Sequence, residues 1–508
     1  MHPHFYQSRS LRFLVYVSIS VASVLGANAA SVLEYQGSAT REGHFVSPQL
    51  TRNAVAHLQA DPGFQMSVNL EGPFFAQPLY VENGSHGKNI LLLASEKNQI
   101  YAIDADSGQL LWQKFLGIPA VSLRDLPCGN IDPMGVTGTP VVDAATKTLY
   151  VNAMTSADNG RTIRHKIYAV SIEDGILVPG GQWPIDVQAS LRSLGVDFDS
   201  RVHGQRGALT IKDGFLYVPY GGHFGDCGDY HGRVVQVPLN HPSHMQLWST
   251  VASRGGIWAP GGVSSDGRDL FVTTGNTSGT TRWGGGNAVN RLGPSIEFSI
   301  QSKDFFAPAD WKELDDRDAD LATAPLFTQI PAPNSNTLSA LMAFGKDGRI
   351  VVLDPANLGG IGGALASKDV ARSVFASPTA YKTSSYSAVV FNGEPRCPAG
   401  GLTGGDVAAL KISVDNDRSV KVSTLWCSGK SLGRTGLISS TTDGLADSIV
   451  WGIQTSGSGH LIAFNGDTGQ VLFEGSEARS SMSRFQTPII ANGKVFVLYN
   501  NTVRAYKP

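Results

Sequence analysis

The sequence predicts an all-β fold: an eight-bladed β-propeller of four-stranded antiparallel blades, with seven blades as the alternative count. Three observations carry this. One strand–turn–strand unit recurs along almost the whole chain, each copy is preceded by a second two-strand pattern, and 58 Gly with 26 Pro supply turns for many short strands. The clearest unit is Asn98 to Gly117, NQIYAIDADSGQLLWQKFLG, an alternating strand, an Asp-Ser-Gly turn and a strand bearing Trp112. It returns as HKIYAVSIEDG from His165, GRIVVLDPANLG from Gly348 and GHLIAFNGDTGQVLFEG from Gly459.

Degenerate copies start at Gly232 (reaching Trp248), at Pro294 (PSIEFSI), at Gly404 (reaching Trp426) and at Asn501. Ahead of them lie strand pairs such as TPVVDAATKTLYVNA from Thr139 and TPIIANGKVFVLYN from Thr487. Four strands per unit at a spacing of about 40 to 70 residues is the signature of a propeller. A lone blade cannot bury its faces, so the ring must close. The last unit has three strands, and Phe64 to Leu70 (FQMSVNL) is predicted to supply the fourth. Trp112, Trp248 and Trp426 are read as packing between blades, where an indole fills the gap left by twisted sheets.

Of the 508 residues 40 are Lys or Arg and 42 are Asp or Glu, a formal charge of −2. No basic stripe favours a nucleic acid or an anionic membrane surface. Residues 1–29 read as a signal peptide. Arg9 and Arg12 precede an apolar Leu11 to Leu25 and the small-x-small Ala27-Asn28-Ala29, too short a run for a membrane anchor. Residues 30–508 then form a single exported domain, periplasmic or secreted. In an oxidising compartment Cys128, Cys227, Cys397 and Cys427 can form two disulfides in three connectivities. The favoured pairs are Cys397–Cys427, inside one repeat, and Cys128–Cys227, joining loops of neighbouring repeats. No C-x-x-C-H encodes a covalent haem.

The unit YAIDADSGQLLW resembles the repeat of the pyrroloquinoline quinone (PQQ) propellers, a family that includes quinoprotein alcohol dehydrogenases and non-enzymatic outer-membrane assembly proteins. The likeness spans nearly the whole mature chain, but a fold does not fix an activity. Several loops are similar to those of the dehydrogenases. VTTGNTSG from Val272 implies Asn276 as a ligand of Ca²⁺, FFAPADW from Phe305 implies Asp310 as catalytic base, and FGKDGRIVVLD from Phe344 implies Lys346 beside the quinone. GGIWAPGG from Gly255 resembles the family's Trp loop and offers Trp258 to the cofactor, as RVHGQRGAL offers Arg206. Alcohol oxidation at a quinone needs such a base, a Lewis acid and cationic donors. PYGGHFGDCGDYHGRV from Pro219 departs from the pattern, because His223 stands where the resemblance implies an acidic metal ligand.

The resulting expectation is an exported PQQ- and Ca²⁺-dependent dehydrogenase that oxidises an alcohol or sugar and passes electrons to a separate acceptor. A non-catalytic scaffold binding a protein or peptide is the alternative. A third reading is a carbohydrate-active propeller such as a polysaccharide lyase, using Arg201 to Arg206 with His223 or His231. His223, Asp226, Asp229 and His231 could also assemble a transition-metal site, or serve as hydrogen-bonded loop residues.

Overall fold

The structure, a computed structural model, describes residues 31–508 apart from 334–335, 399–403, 456–458 and 477–480. The predicted signal peptide at 1–29 lies outside the described residues. No helix among them is long and apolar enough to cross a membrane.

Eight antiparallel sheets follow one another along the chain and close into a ring. Blade 1 runs from Leu79 to Phe115, blade 2 from Val141 to Asp186, blade 3 from Thr210 to Ser249 and blade 4 from Ser264 to Ala307. Blade 5 spans Leu326 to Asp369, blade 6 Thr379 to Cys427, blade 7 Ile438 to Glu474 and blade 8 Ile489 to Lys507. Each junction between neighbours is filled by one buried apolar cluster, eight in all. The second strand of blade 1, Lys88–Ala94, shows why: Ile90, Leu92 and Ala94 face blade 2, while Leu91 and Leu93 face blade 8. A strand buried on both faces reads as a continuous apolar run rather than an alternation.

The fourth-strand tryptophans pack between blades as expected. Trp112 donates through Nε1 to Ile172 O of blade 2 (3.0 Å), and its ring lies over Gly175, where a Cβ would sit 2.6 Å from it. Trp426 repeats this on Gly466 O and Gly469 of blade 7. The turn glycine of one blade is thus the seat of the preceding blade's indole.

Two sequence assignments need correction. Phe64 to Leu70 is not a strand. The outer strand of blade 8 is Gln59–Ala60, paired antiparallel with Lys507 and Tyr506. Phe64 to Leu70 instead runs between blades 8 and 1, hydrogen-bonded to Ser107 O, Gly108 O and Asn501 O, with Phe64 and Leu70 buried. It occupies the seat above Gly108 that a tryptophan fills elsewhere. An extended segment in a groove buries alternate residues just as a strand does, so periodicity alone does not separate them. Likewise PSIEFSI is a loop. The third strand of blade 4 is Ala288–Leu292 and its fourth is Phe305–Ala307, with Gly360–Ile361 added in parallel outside it, while Phe298 covers Trp248 edge-on at 5.9 Å.

Residues 32–46 form a strap across the channel that touches every blade. Val32 exchanges hydrogen bonds with Tyr80 of blade 1, and Leu33 O accepts from Val142 N of blade 2. Ala39, Thr40, Glu42 and Gly43 carbonyls accept from Ser265, Phe327, Ala380 and Ser439 of blades 4 to 7. Tyr35 Oη meets Thr487 Oγ1 of blade 8 at 3.1 Å, and Arg41 Nη2 donates to Leu209 O beside blade 3. His44–Val46 then pairs in parallel with the first strand of blade 7. Arg41 is 1% exposed and also donates to Gly261 O, Val263 O, Tyr35 O, Ser38 O and Glu34 Oε2.

Arg41→Met leaves these carbonyls and Glu34 without their donor. It is expected to lower stability by about 3–5 kcal/mol, read as a lower denaturant midpoint, since removing one partner of a buried charged network costs that much. An unchanged midpoint would show that the strap is dispensable.

Candidate functional site

Above the strap the channel opens into a cavity of about 670 Å³. Two repeated positions build its wall. The residue four before the first strand of a blade points into it in seven blades: Phe75, Thr137, Arg206, Ala322, Phe375, Arg434 and Phe485. Loops leaving the second strands add His223 after Phe215–Gly222 and Lys346 after Asn336–Phe344. The strap crosses further along the same first strands, at Phe327, Ala380 and Ser439, and meets Thr487 just ahead of the first strand of blade 8, and so forms a floor beneath the cavity.

Trp258 lines the cavity and rests on a glycine bed. A Cβ at Gly275 would lie 2.6 Å from its Cδ1, and one at Gly256 2.8 Å from its Cε2, while Tyr230 meets it edge-on at 5.9 Å. The glycines of GGIWAPGG and VTTGNTSG therefore serve close approach to one indole. Cys128–Cys227 ties together the two loops that supply Ile131 and Met134 on one side and His223 to Asp226 on the other. Cys397–Cys427 closes a loop within blade 6.

Among the sequence-predicted residues, Lys346, Trp258, Arg206 and His223 all line the cavity. Lys346 Nζ is paired with Asp320 and lies 3.3 Å from Asp318 Oδ1. Burial alone would lower the Lys346 pKa, but the two carboxylates beside it reverse this and leave it raised. Burial pushes the Asp320 pKa up, and Lys346 pulls it part of the way back. Asn276 stands one layer behind, its backbone N–H donating to Asp320 Oδ1 at 2.7 Å. With its amide oriented to satisfy both contacts, the Asn276 side-chain NH2 donates to Asp320 Oδ1 and, at 3.1 Å, to Asp318 Oδ1. Two carboxylates beside an amide are also ligand types that a hard cation takes.

Asp310 is not brought to this place. It follows the fourth strand of blade 4 and holds Arg349 Nη2 through both carboxylate oxygens at 2.9 Å, away from the cavity wall. The helix Trp311–Asp316 then carries the chain inward to Asp318 and Asp320, which do line it. These two acids appear in the sequence only as members of an acidic run. The repeat position that places Arg434 and Phe485 in the channel falls in blade 5 on Ala322, and Asp320 and Asp318 lie just ahead of it.

His223 is 2% exposed, neither ring nitrogen has a partner among the described residues, and burial lowers its pKa to about 4. It is therefore a neutral group facing the cavity. The neighbouring residues are engaged locally: Asp226 accepts from Tyr230 Oη, Asp229 from Ser253 Oγ, and His231 Nδ1 meets Thr250 O. Arg201 donates to Asp125 O and Gly160 O, and His203 stacks on Phe198 at 4.2 Å. Among the described residues no three His, Cys, Asp or Glu side chains form a metal-holding cluster.

Behind Thr137 lies Glu96, fully buried. Its Oε2 accepts from Gly135 N at 2.7 Å and Thr137 Oγ1 at 3.1 Å, and its Oε1 has no partner. Burial raises its pKa from 4.5 to about 7, against those two hydrogen bonds and the Arg206 charge.

No family model and no curated protein matches the chain. Solved structures do. A quinohemoprotein alcohol dehydrogenase of Pseudomonas putida HK5 is 14% identical with a TM-score of 0.62, covering 94% of this chain and 80% of its own. The quinohemoprotein alcohol dehydrogenase of Comamonas testosteroni is 13% identical with a TM-score of 0.61, over 94% and 80%. A europium-containing methanol dehydrogenase is 13% identical with a TM-score of 0.61, over 92% and 89%. At this identity the likeness is one of fold, an eight-bladed propeller.

The raised Glu96 pKa sets a pH dependence of stability. The folded chain holds this proton more tightly than the unfolded one, so the group stabilises the fold below about 4.5 and loses that effect as pH rises through about 7. Glu96→Gln is expected to flatten the fall in melting temperature across that window; an identical fall in both proteins would refute the assignment.

Proposed function

We propose that the protein is an exported dehydrogenase that oxidises an alcohol or sugar with PQQ and a hard cation such as Ca²⁺, passing electrons to a separate acceptor. The observation that carries this reading is the grouping of Asp318, Asp320 and Lys346, backed by Asn276, on the wall of a cavity that also presents Trp258. Two disulfides and the N-terminal leader pattern support export.

The residues present suit both groups. Asn276 and Asp320 would offer oxygens to a cation that needs six or more, with cofactor and water completing the set. Lys346, paired with Asp320, would stand beside it. Trp258 offers an aromatic surface to a planar ring system, and Arg206 a guanidinium to its carboxylates. His223, a neutral nitrogen donor, suits a hydrogen bond better than a hard cation, so it is assigned no metal bond here. When bound, a quinone of this class supplies a two-electron acceptor. The chain's own part is to orient the alcohol and take its hydroxyl proton at a carboxylate oxygen. Asp318 has the reach for that role, its side chain being 68% exposed at the cavity, whereas Asp320 is held by Lys346 and Asn276.

Purified protein given PQQ with Ca²⁺ or Eu³⁺ is expected to gain quinone absorbance and to reduce an artificial dye in the presence of an alcohol or sugar. Asp318→Asn is expected to lower kcat by about 10²- to 10⁴-fold with cofactor absorbance retained. Asp310→Asn is expected to turn over like the parent. Absence of cofactor uptake, or full turnover in Asp318→Asn, would overturn the reading.

A further inference from the structure

The cavity is divided by charge. One end holds Asp318, Asp320 and Lys346, and the other holds Arg206, Arg434 and Arg484 with Phe375 and Phe485. The arginines converge on Phe485. Arg206 stacks its guanidinium over that ring at 4.4 Å, Arg484 precedes it in sequence, and Phe485 N donates to Arg434 O at 2.6 Å. Arg434 lies over Phe375 at 4.3 Å. Stacking fixes the plane of a guanidinium while leaving its N–H edge free for a ligand. None of the three has a carboxylate partner within salt-bridge distance among the described residues, and none donates a side-chain hydrogen bond there. Burial and the charges of Arg484 and Arg434 together depress the Arg206 pKa to about 10. Arg41, by contrast, is neutralised by Glu34 and Lys494 by Asp61.

We propose that Arg434 and Arg484, backed by the charge of Arg206, form a carboxylate-binding subsite, and that the substrate is a sugar acid. This rests on the dehydrogenase reading above. A ligand serving both ends needs a hydroxyl for Asp318 and an anion for the arginines, and an aldonic or uronic acid carries both. Guanidinium forks match a carboxylate through paired N–H donors. The cofactor's own carboxylates are the competing source of the same chemistry, and the experiment separates the two.

Glucuronate and glucose are titrated by calorimetry into cofactor-free protein, and dye reduction with each is measured on the PQQ-loaded protein. Glucuronate is expected to bind with a salt-dependent affinity that glucose lacks. R434Q/R484Q is expected to weaken that binding by about 10- to 100-fold, and to lower the ratio of kcat/KM for glucuronate over glucose by a similar factor. Equal binding of the two sugars, or unaltered glucuronate binding in the variant, would overturn the subsite. A variant that loses PQQ uptake while keeping its sugar preference would assign the arginines to the cofactor and overturn the substrate proposal. If the parent takes up no PQQ, the dehydrogenase reading fails, and the calorimetric arm alone still decides whether a carboxylate subsite exists.

Discussion

Every blade has two apolar faces and no means of covering either by itself. That constraint explains the arrangement of the rest of the molecule. Eight sheets satisfy it by standing in a ring, so each junction becomes a core shared by two neighbours. It also explains why the second strands are apolar on both sides, and why one blade's indole needs the next blade's glycine. With the sheets committed to packing, the residues free to meet a ligand are those in the loops at the end of the channel. There the repeat works a second time. One register position, read off seven blades, delivers phenylalanine, threonine, alanine and arginine to the same wall.

Charge is distributed in a way that the whole-chain balance conceals. A formal −2 over 508 residues suggests a surface of no particular sign, yet five of the eight ionised side chains on the cavity wall are cationic. They are segregated rather than mixed. On one side a lysine and two aspartates hold one another, and on the other lie three guanidiniums without carboxylate partners among the described residues, two of them stacked on aromatic rings. Burial has opposite consequences at the two ends. It raises the pKa of Asp320 and lowers that of Arg206, in each case disfavouring the charged form. Preorganised groups of this kind cost stability in the empty protein and return it only on binding.

Much of the fold was legible because its signals are local. The Asp-Ser-Gly and Asp-Thr-Gly turns, the fourth-strand tryptophans and the paired strands are visible within windows of about 20 residues. What misled was periodicity without context. Phe64 to Leu70 alternates because it lies in a groove between two blades, and PSIEFSI alternates because Phe298 covers Trp248. The site was legible in part. Lys346, Trp258, Arg206 and His223 reach the cavity because they sit next to strands whose limits the repeat marks. Asp310 does not, since FFAPADW contains the fourth strand of blade 4 rather than an inner one. Counting positions back from each first strand, rather than matching loop by loop, points to Phe375, Arg434 and Phe485.

The strap beneath the cavity has a bearing on how the chain reaches this state. Tyr35 finds its partner in Thr487, 452 residues away, and the strand Gln59–Ala60 pairs with Lys507 and Tyr506. The early segment thus cannot dock completely until the final blade has been made. Arg41 must wait for blades 3 and 4, Glu42 for blade 6 and Gly43 for blade 7. Contacts of such long range are slow to form, because the loops they close must be ordered first. Assembly of the barrier under the cavity is therefore coupled to completion of the ring. A half-made molecule has an open channel, and only a finished one has a chamber with a single mouth.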